Sequence, residues 1–120
     1  MRLLALRGVI TCDADTADEI EAKTQQLVRT MLDRNRIEHD DIVSILFTAT
    51  DDLHSQFPAT AARALGLGDV PLICARELDV AHGMARCIRV LMHFHGEQER
   101  VDLHHIYLEG ARNLRDDLPE

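Results

Sequence analysis

The most regular alternation in the chain runs from Cys87 to His95. Ile88, Val90, Met92 and Phe94 share one face, and Cys87, Arg89, Leu91, His93 and His95 share the other, which predicts a strand with Arg89 surrounded by sheet. A different period governs the stretch after Thr16, where Ile20, Thr24, Leu27, Val28, Met31 and Leu32 recur at helical intervals as far as Asn35. Thr16 followed by Glu19 has capping-box spacing at the start of that helix. Leu3 to Thr11 has strand composition around Arg7 and Gly8 and stops at the acidic turn Cys12-Asp13-Ala14-Asp15, while Ile42 to Thr50 reads as a buried strand stopped by Asp51 and Asp52. Pro58 suits the first turn of a short helix over Ala59 to Leu65, with Gly66 as its stop. Val70 to Leu78 predicts a third strand, with Cys74, Arg76 and Leu78 pointing one way and Ala75 and Glu77 the other. After a polar loop from Gly96 to Arg100, Leu103 to Leu108 predicts the last strand, with Leu103, His105 and Tyr107 on one face. The polar segment from Glu109 to Glu120 is expected to be mobile.

About five strands and two helices predict an α+β fold, a mixed sheet carrying its helices on one face. The other face then needs a cover, and a second copy of the chain is the expected one. With 120 residues, the chain is expected to form one domain over 1–120.

Composition narrows the function. A hydrophobic fraction of 46% with only 3% aromatics makes the core aliphatic and removes a base-stacking surface. The excess of 21 acidic over 13 basic residues, a net charge of -8, opposes binding to nucleic acid or an anionic membrane. No apolar run reaches the ~18 residues of a membrane span, and no secretory cleavage site follows the first residues. Cys12, Cys74 and Cys87 are odd in number and form no CxxC, which points to a reducing, cytoplasmic setting.

The catalytic signatures that would need a serine nucleophile, a phosphate loop or a dinucleotide are missing. Ser44 and Ser55 lie in no GxSxG, and Gly66-Leu67-Gly68 reads as a helix stop. His93 and His95 on one strand face, with His104 or His105, could in geometry hold a metal. No carboxylate or cysteine completes a ligand spacing, however, so surface histidines are the reading taken and no metal is expected. What remains is arginine: Arg7 and Arg89 inside strand patterns, Arg63 beside a helix start, Arg115 near the end. A guanidinium embedded in sheet needs a carboxylate partner. Either an internal one, Glu77 or Asp79, or a bound one satisfies that requirement.

The order and spacing of these pieces resemble the trimeric, mixed α/β class of chorismate mutase. The resemblance runs from Arg7-Gly8 through Ala49-Thr50-Asp51-Asp52-Leu53, Phe57-Pro58-Ala59 and Arg63, then Val70 to Val80, Cys87-Ile88-Arg89-Val90, Tyr107-Leu108-Glu109 and Leu114 to Leu118. Thr60, His82 and Asp116 depart from the family pattern, in which lysine, glycine and proline respectively are common. The resemblance implies a pseudo α/β-barrel homotrimer that rearranges chorismate to prephenate, in the shikimate pathway toward phenylalanine and tyrosine, without cofactor or metal. By the same resemblance Arg89 sits beside the ether oxygen, Arg7 and Tyr107 hold a carboxylate, and Glu77 and Cys74 meet the ring hydroxyl, the cysteine through its backbone. Phe57 and Arg63 come from a neighbouring subunit, Ile73 lies on the wall, and Leu114 and Arg115 belong to a closing tail. Since Cys74 and Glu77 fall on opposite strand faces, a bulge or turn between them is expected. Locally positive clefts on an acidic body are also expected, because remote charge is screened beyond about 8 Å. The rival readings are a non-catalytic oligomeric module that binds small carboxylates and a metal enzyme built on the histidines.

Overall fold

The computed structural model describes residues 1–112. Strand β1 (Arg2–Thr11) leads to helix α1 (Ala17–Arg34), then strand β2 (Ile42–Ala49), the short helix α2 (Pro58–Ala62), and strands β3 (Leu72–Arg76), β4 (Cys87–Gly96) and β5 (Ile106–Tyr107). They form one mixed sheet in the order β3-β2-β4-β1-β5. The central β2–β4 and β4–β1 pairs are antiparallel, and the two outer pairs are parallel.

The helix begins where its cap chemistry allows. Thr16 is extended, and its hydroxyl accepts the Glu19 N–H at 3.1 Å, while the Glu19 carboxylate reaches back to accept the Asp13 N–H at 2.8 Å. Ile20, Thr24, Leu27, Val28 and Met31 form the buried stripe of α1. They pack with Ala59 and Ala62 of α2 onto Leu4, Leu6, Ile10, Ile45, Phe47, Ile88, Val90, Met92 and Phe94, so both helices cover the same face of the sheet. At the far end Asn35 closes α1: its amide donates to the carbonyls of Met31 and His104, both at 2.9 Å, and its carbonyl accepts the His104 N–H at 2.7 Å.

Gly8 is required by this packing. A Cβ there would run into the Met31 sulfur and stand 3.0 Å from Leu27 Cδ1, and both side chains are fully buried. Gly8→Ala is expected to cost about 1–3 kcal/mol of stability, read from a lowered denaturant midpoint at unchanged slope.

Four elements differ from the sequence reading. The third strand is shorter than 70–78, because Pro71 has no N–H to offer the ladder and the chain leaves the sheet after Arg76. The last strand shrinks to two residues: Leu103 closes a tight turn from Arg100 and is buried in the main core, away from Tyr107, whose cluster is Val9, Cys87 and Ala111. The short helix continues past Leu65 as a widened turn over Arg63–Leu67, which Gly66 permits by adopting φ +90°. Glu109–Ala111 form a turn, tied by the 2.8 Å Lys23–Glu109 ion pair and by Gly110 N–H donating to Thr11 Oγ1, and 113–120 of the segment expected to be mobile lie outside the described residues. No helix among the described residues is long and apolar enough to cross a membrane.

Candidate active site

The register of the sheet lines up the functional side chains. Ala75 faces Thr48, Thr48 faces Arg89, Arg89 faces Val9, and Val9 faces Tyr107, one row crossing all five strands on the side away from the helices. Arg7 lies one step along that face and opposite Leu91, followed by Leu46 and Ile73. Alternation along each strand therefore brings Arg7, Arg89 and Tyr107 to a common surface, as the sequence reading required.

Glu77 joins them from just beyond β3. Its N–H still donates to the Ala49 carbonyl at 3.0 Å, so regular alternation carries its side chain to the same face as Ala75. The carboxylate is held at three points. Oε2 lies 2.7 Å from Arg89 Nε and accepts the Thr48 hydroxyl at 3.0 Å, and Oε1 accepts the Leu78 N–H at 3.0 Å. Arg89 Nε is fully buried and has no acceptor along its N–H, so its contact with Glu77 is an ion pair rather than an aligned hydrogen bond.

Of the two readings left open for the strand arginines, the internal partner, Glu77, holds for Arg89, while the Arg7 side chain is not embedded in the sheet. Arg7 is exposed, and no carboxylate pairs with it among the described residues; its backbone N–H donates to His105 Nδ1 at 3.0 Å, in the stretch before β5 begins to pair. Tyr107 is buried, and its hydroxyl has no hydrogen-bond partner among the described residues. A buried phenol without a partner carries a desolvation cost that an incoming oxygen would remove.

Cys74 lies elsewhere. The register of β2 with β3 is continuous from Leu72 to Arg76 and Glu77 N–H extends it to Ala49 O, so neither the expected bulge nor a turn separates Cys74 from Glu77, and the thiol points into the helix-covered core. The ladder phase is fixed by Ile45 N–H donating to Pro71 O and Glu77 N–H donating to Ala49 O. In a parallel ladder that phase turns the backbone N–H and C=O of Cys74 to the open edge of the sheet. Burial raises the Cys74 and Cys87 thiols and pushes Cys12 up to about 12, so none of the three is an activated nucleophile.

Phe57, 66% exposed at the start of α2, shares a hollow of about 510 Å³ with Cys74, Gln56, Asp51 and Arg76. Arg63 follows on the same helix, exposed, its Nη2 donating to Thr60 Oγ1 at 3.2 Å. Neither Phe57 nor Arg63 lines the hollow that holds Arg7 and Arg89 within one chain. Leu114 and Arg115 lie outside the described residues. Among the described residues, no three His, Cys, Asp or Glu side chains gather as a metal-ligand set.

The Glu77–Arg89 pair lines two adjoining hollows. The smaller, about 250 Å³, adds Arg7, Val9, Leu46 and Thr48 and is the cationic one. The larger, about 510 Å³, adds Asp51, Asp52 and Asp79, so of these two hollows only the smaller carries an excess of positive charge. Two of those carboxylates are occupied. Asp51 forms a two-bond fork with Arg76, both at 2.6 Å, which holds its carboxyl below the usual range, and Asp52 accepts the Arg86 N–H. Sequence reasoning missed Thr48. Alternation along β2 sets Thr48 opposite in face to the buried Ile45 and Phe47, but its place across from Arg89 depends on a strand register the sequence does not show.

Comparison with known proteins gives a consistent answer. The chorismate mutase type I family matches residues 3–118. The chain is 40% identical over 119 residues to "Chorismate mutase AroH" of Bacillus subtilis, covering 98% of this chain and 94% of that protein. It is 40% identical over 114 residues to the protein of the same name from Thermus thermophilus, covering 94% and 93%. The solved structure of a chorismate mutase from Clostridium thermocellum superposes with a TM-score of 0.90 at 45% identity, covering 92% of this chain and 98% of that one.

Proposed function

Given that the chain belongs to the chorismate mutase type I family and is a chorismate mutase, we propose that its active site is built on the Arg7, Glu77, Arg89 and Tyr107 face and completed by a neighbouring subunit of a homotrimer. The reaction is intramolecular: the ether C–O bond of chorismate breaks as a C–C bond forms, giving prephenate on the route to aromatic amino acids. No proton, nucleophile or redox partner is consumed, so the missing catalytic signatures need no replacement. The protein's task is to hold a flexible dicarboxylate compact and to stabilise the negative charge that grows on the ether oxygen.

One observation carries the assignment: an unpaired guanidinium, a partnerless buried phenol and an arginine only loosely engaged by its glutamate share one sheet face. Arg89 serves the ether oxygen, where a fixed cation gains strength as charge separates and so lowers the barrier. Arg7 and Tyr107 take a carboxylate. Glu77 and the edge-facing backbone of Cys74 meet the ring hydroxyl, and Leu114 and Arg115 close over it. The non-catalytic carboxylate-binding module is not favoured, since relatives at 40% and 45% identity over nearly the whole chain are named chorismate mutases. We place the single domain over 1–120 in the cytoplasm, consistent with three free cysteines.

What the sheet leaves bare supports a partner subunit. Leu3 is 62% and Ile73 64% exposed on the face carrying Ala5, Leu46 and Leu91, a surface that a soluble protein covers with a partner. Phe57 and Arg63, separate from the arginine hollow in their own chain, reach the hollow of the next. Mixing tests this. Arg89→Ala and a Phe57→Ala/Arg63→Ala double variant are each expected to be nearly inactive, and co-refolding them in equal amounts is expected to restore about a quarter of the sites. Activity no greater than the mean of the parents would rule out a shared site.

A further inference from the structure

Glu77 stands beside Arg89 without gripping it, and that is not what a carboxylate next to a guanidinium does by default. The favoured arrangement is a two-bond fork, as Asp51 and Arg76 show in this same structure with both bonds at 2.6 Å. At Glu77 no aligned hydrogen bond reaches Arg89: Oε2 lies 2.7 Å from Nε but off the line of its N–H. The difference lies in what else holds the carboxylate: Thr48 donates its hydroxyl to Oε2, and the Leu78 N–H donates to Oε1. With both oxygens engaged elsewhere, Glu77 cannot turn to face the two terminal nitrogens of Arg89, and these have no partner among the described residues. Thr48 is well placed for this, since the register sets it directly opposite both Ala75 and Arg89.

We infer that Thr48 is a positioning residue, whose hydroxyl holds Glu77 out of a two-bond fork with Arg89 and so keeps the guanidinium's terminal nitrogens free for the reacting ether oxygen. This rests on the reading that Arg89 and Glu77 act on chorismate. Without the hydroxyl, Glu77 closes on Arg89, and the cation meant for the transition state is neutralised by the protein's own carboxylate. The cost then falls on kcat more than on KM, because the interaction lost is one that grows as the bond breaks.

The test is a double-mutant cycle on chorismate consumption by the purified enzyme. Thr48→Val, which keeps the shape and removes the donor, is expected to lower kcat about tenfold with KM nearly unchanged, and Thr48→Ser to stay within about twofold of the parent. Glu77→Ala is expected to be impaired by itself. In that background Thr48→Val adds less than about twofold, because there is no carboxylate left to hold. Thr48→Ala serves the same purpose should the valine variant fold poorly, with thermal unfolding followed in parallel. If Glu77→Ala turns over normally, the assignment of the site itself is wrong. If Glu77→Ala is impaired yet Thr48→Val matches the parent, or Thr48→Ser falls as far as valine, or the two losses multiply independently, the role given to Thr48 is wrong.

Discussion

Arg89→Ala is expected to lower kcat by at least about 10²–10³-fold, the range found when one preset donor to a developing oxyanion is removed. In free energy this is about 2.7–4 kcal/mol of transition-state stabilisation. Three features place Arg89 at the upper end of expected effects in this protein. It lies in the central strand of the sheet, paired on both sides, so its backbone does not shift to compensate. Its Nε is fully buried beside Glu77, which fixes the base of the guanidinium in place. Its removal also leaves Glu77 as an uncompensated, half-buried carboxylate in a hollow meant for a dianion. Arg89→Lys is expected to recover little, because an ammonium supplies a point charge without the planar fork. Initial rates of chorismate disappearance, with thermal unfolding as a control for folding, decide the matter. A variant that folds and turns over within tenfold of the parent would remove Arg89 from the reaction centre.

How far this site can be read from sequence depends on how local its geometry is. The face shared by Arg7, Arg89 and Tyr107 follows from strand alternation, and the alternation of Ile88, Val90, Met92 and Phe94 into the core made the placement of Arg89 unambiguous. The capped helix from Thr16 was equally legible, because cap and stripe are both short-range signals. The spacing of Cys74 and Glu77 misled. A resemblance that brings both to one ring hydroxyl suggests a bulge, whereas a parallel edge strand solves the problem by using backbone at one residue and side chain at the other. Tyr107 and Leu103 were read as one strand face because their spacing is even. The clasp of Asn35 on His104 breaks the strand between them, and no local pattern at 103–107 encodes a contact made with residue 35. The charge of the hollows was hidden for the same reason: Asp51, Asp52 and Asp79 come near Arg89 through loops whose course depends on the Arg76 and Arg86 contacts.

Arg7→Ala is expected to act on binding rather than on the chemical step, raising KM about 10- to 100-fold while lowering kcat far less than Arg89→Ala does. The magnitude is that of a hydrogen bond to a charged group, about 1.5–3 kcal/mol. The direction follows from what the carboxylate does during the reaction. It carries the same charge in chorismate and in the transition state, so a cation that grips it stabilises both alike and shows itself in KM. Stability is expected to change by no more than about 0.5 kcal/mol, because the Arg7 guanidinium is exposed and no carboxylate in the described chain loses a partner when it goes. Its backbone N–H remains to donate to His105, which keeps β1 in place. Ionic strength provides an independent check. Salt at about 1 M shortens the screening length to about 3 Å and weakens the exposed Arg7 contact, so the KM gap between parent and variant narrows as salt is added. A variant with unchanged KM at low salt would mean that the substrate carboxylate is held elsewhere, and that the unpaired arginine beside Gly8 serves only to keep the sheet face polar.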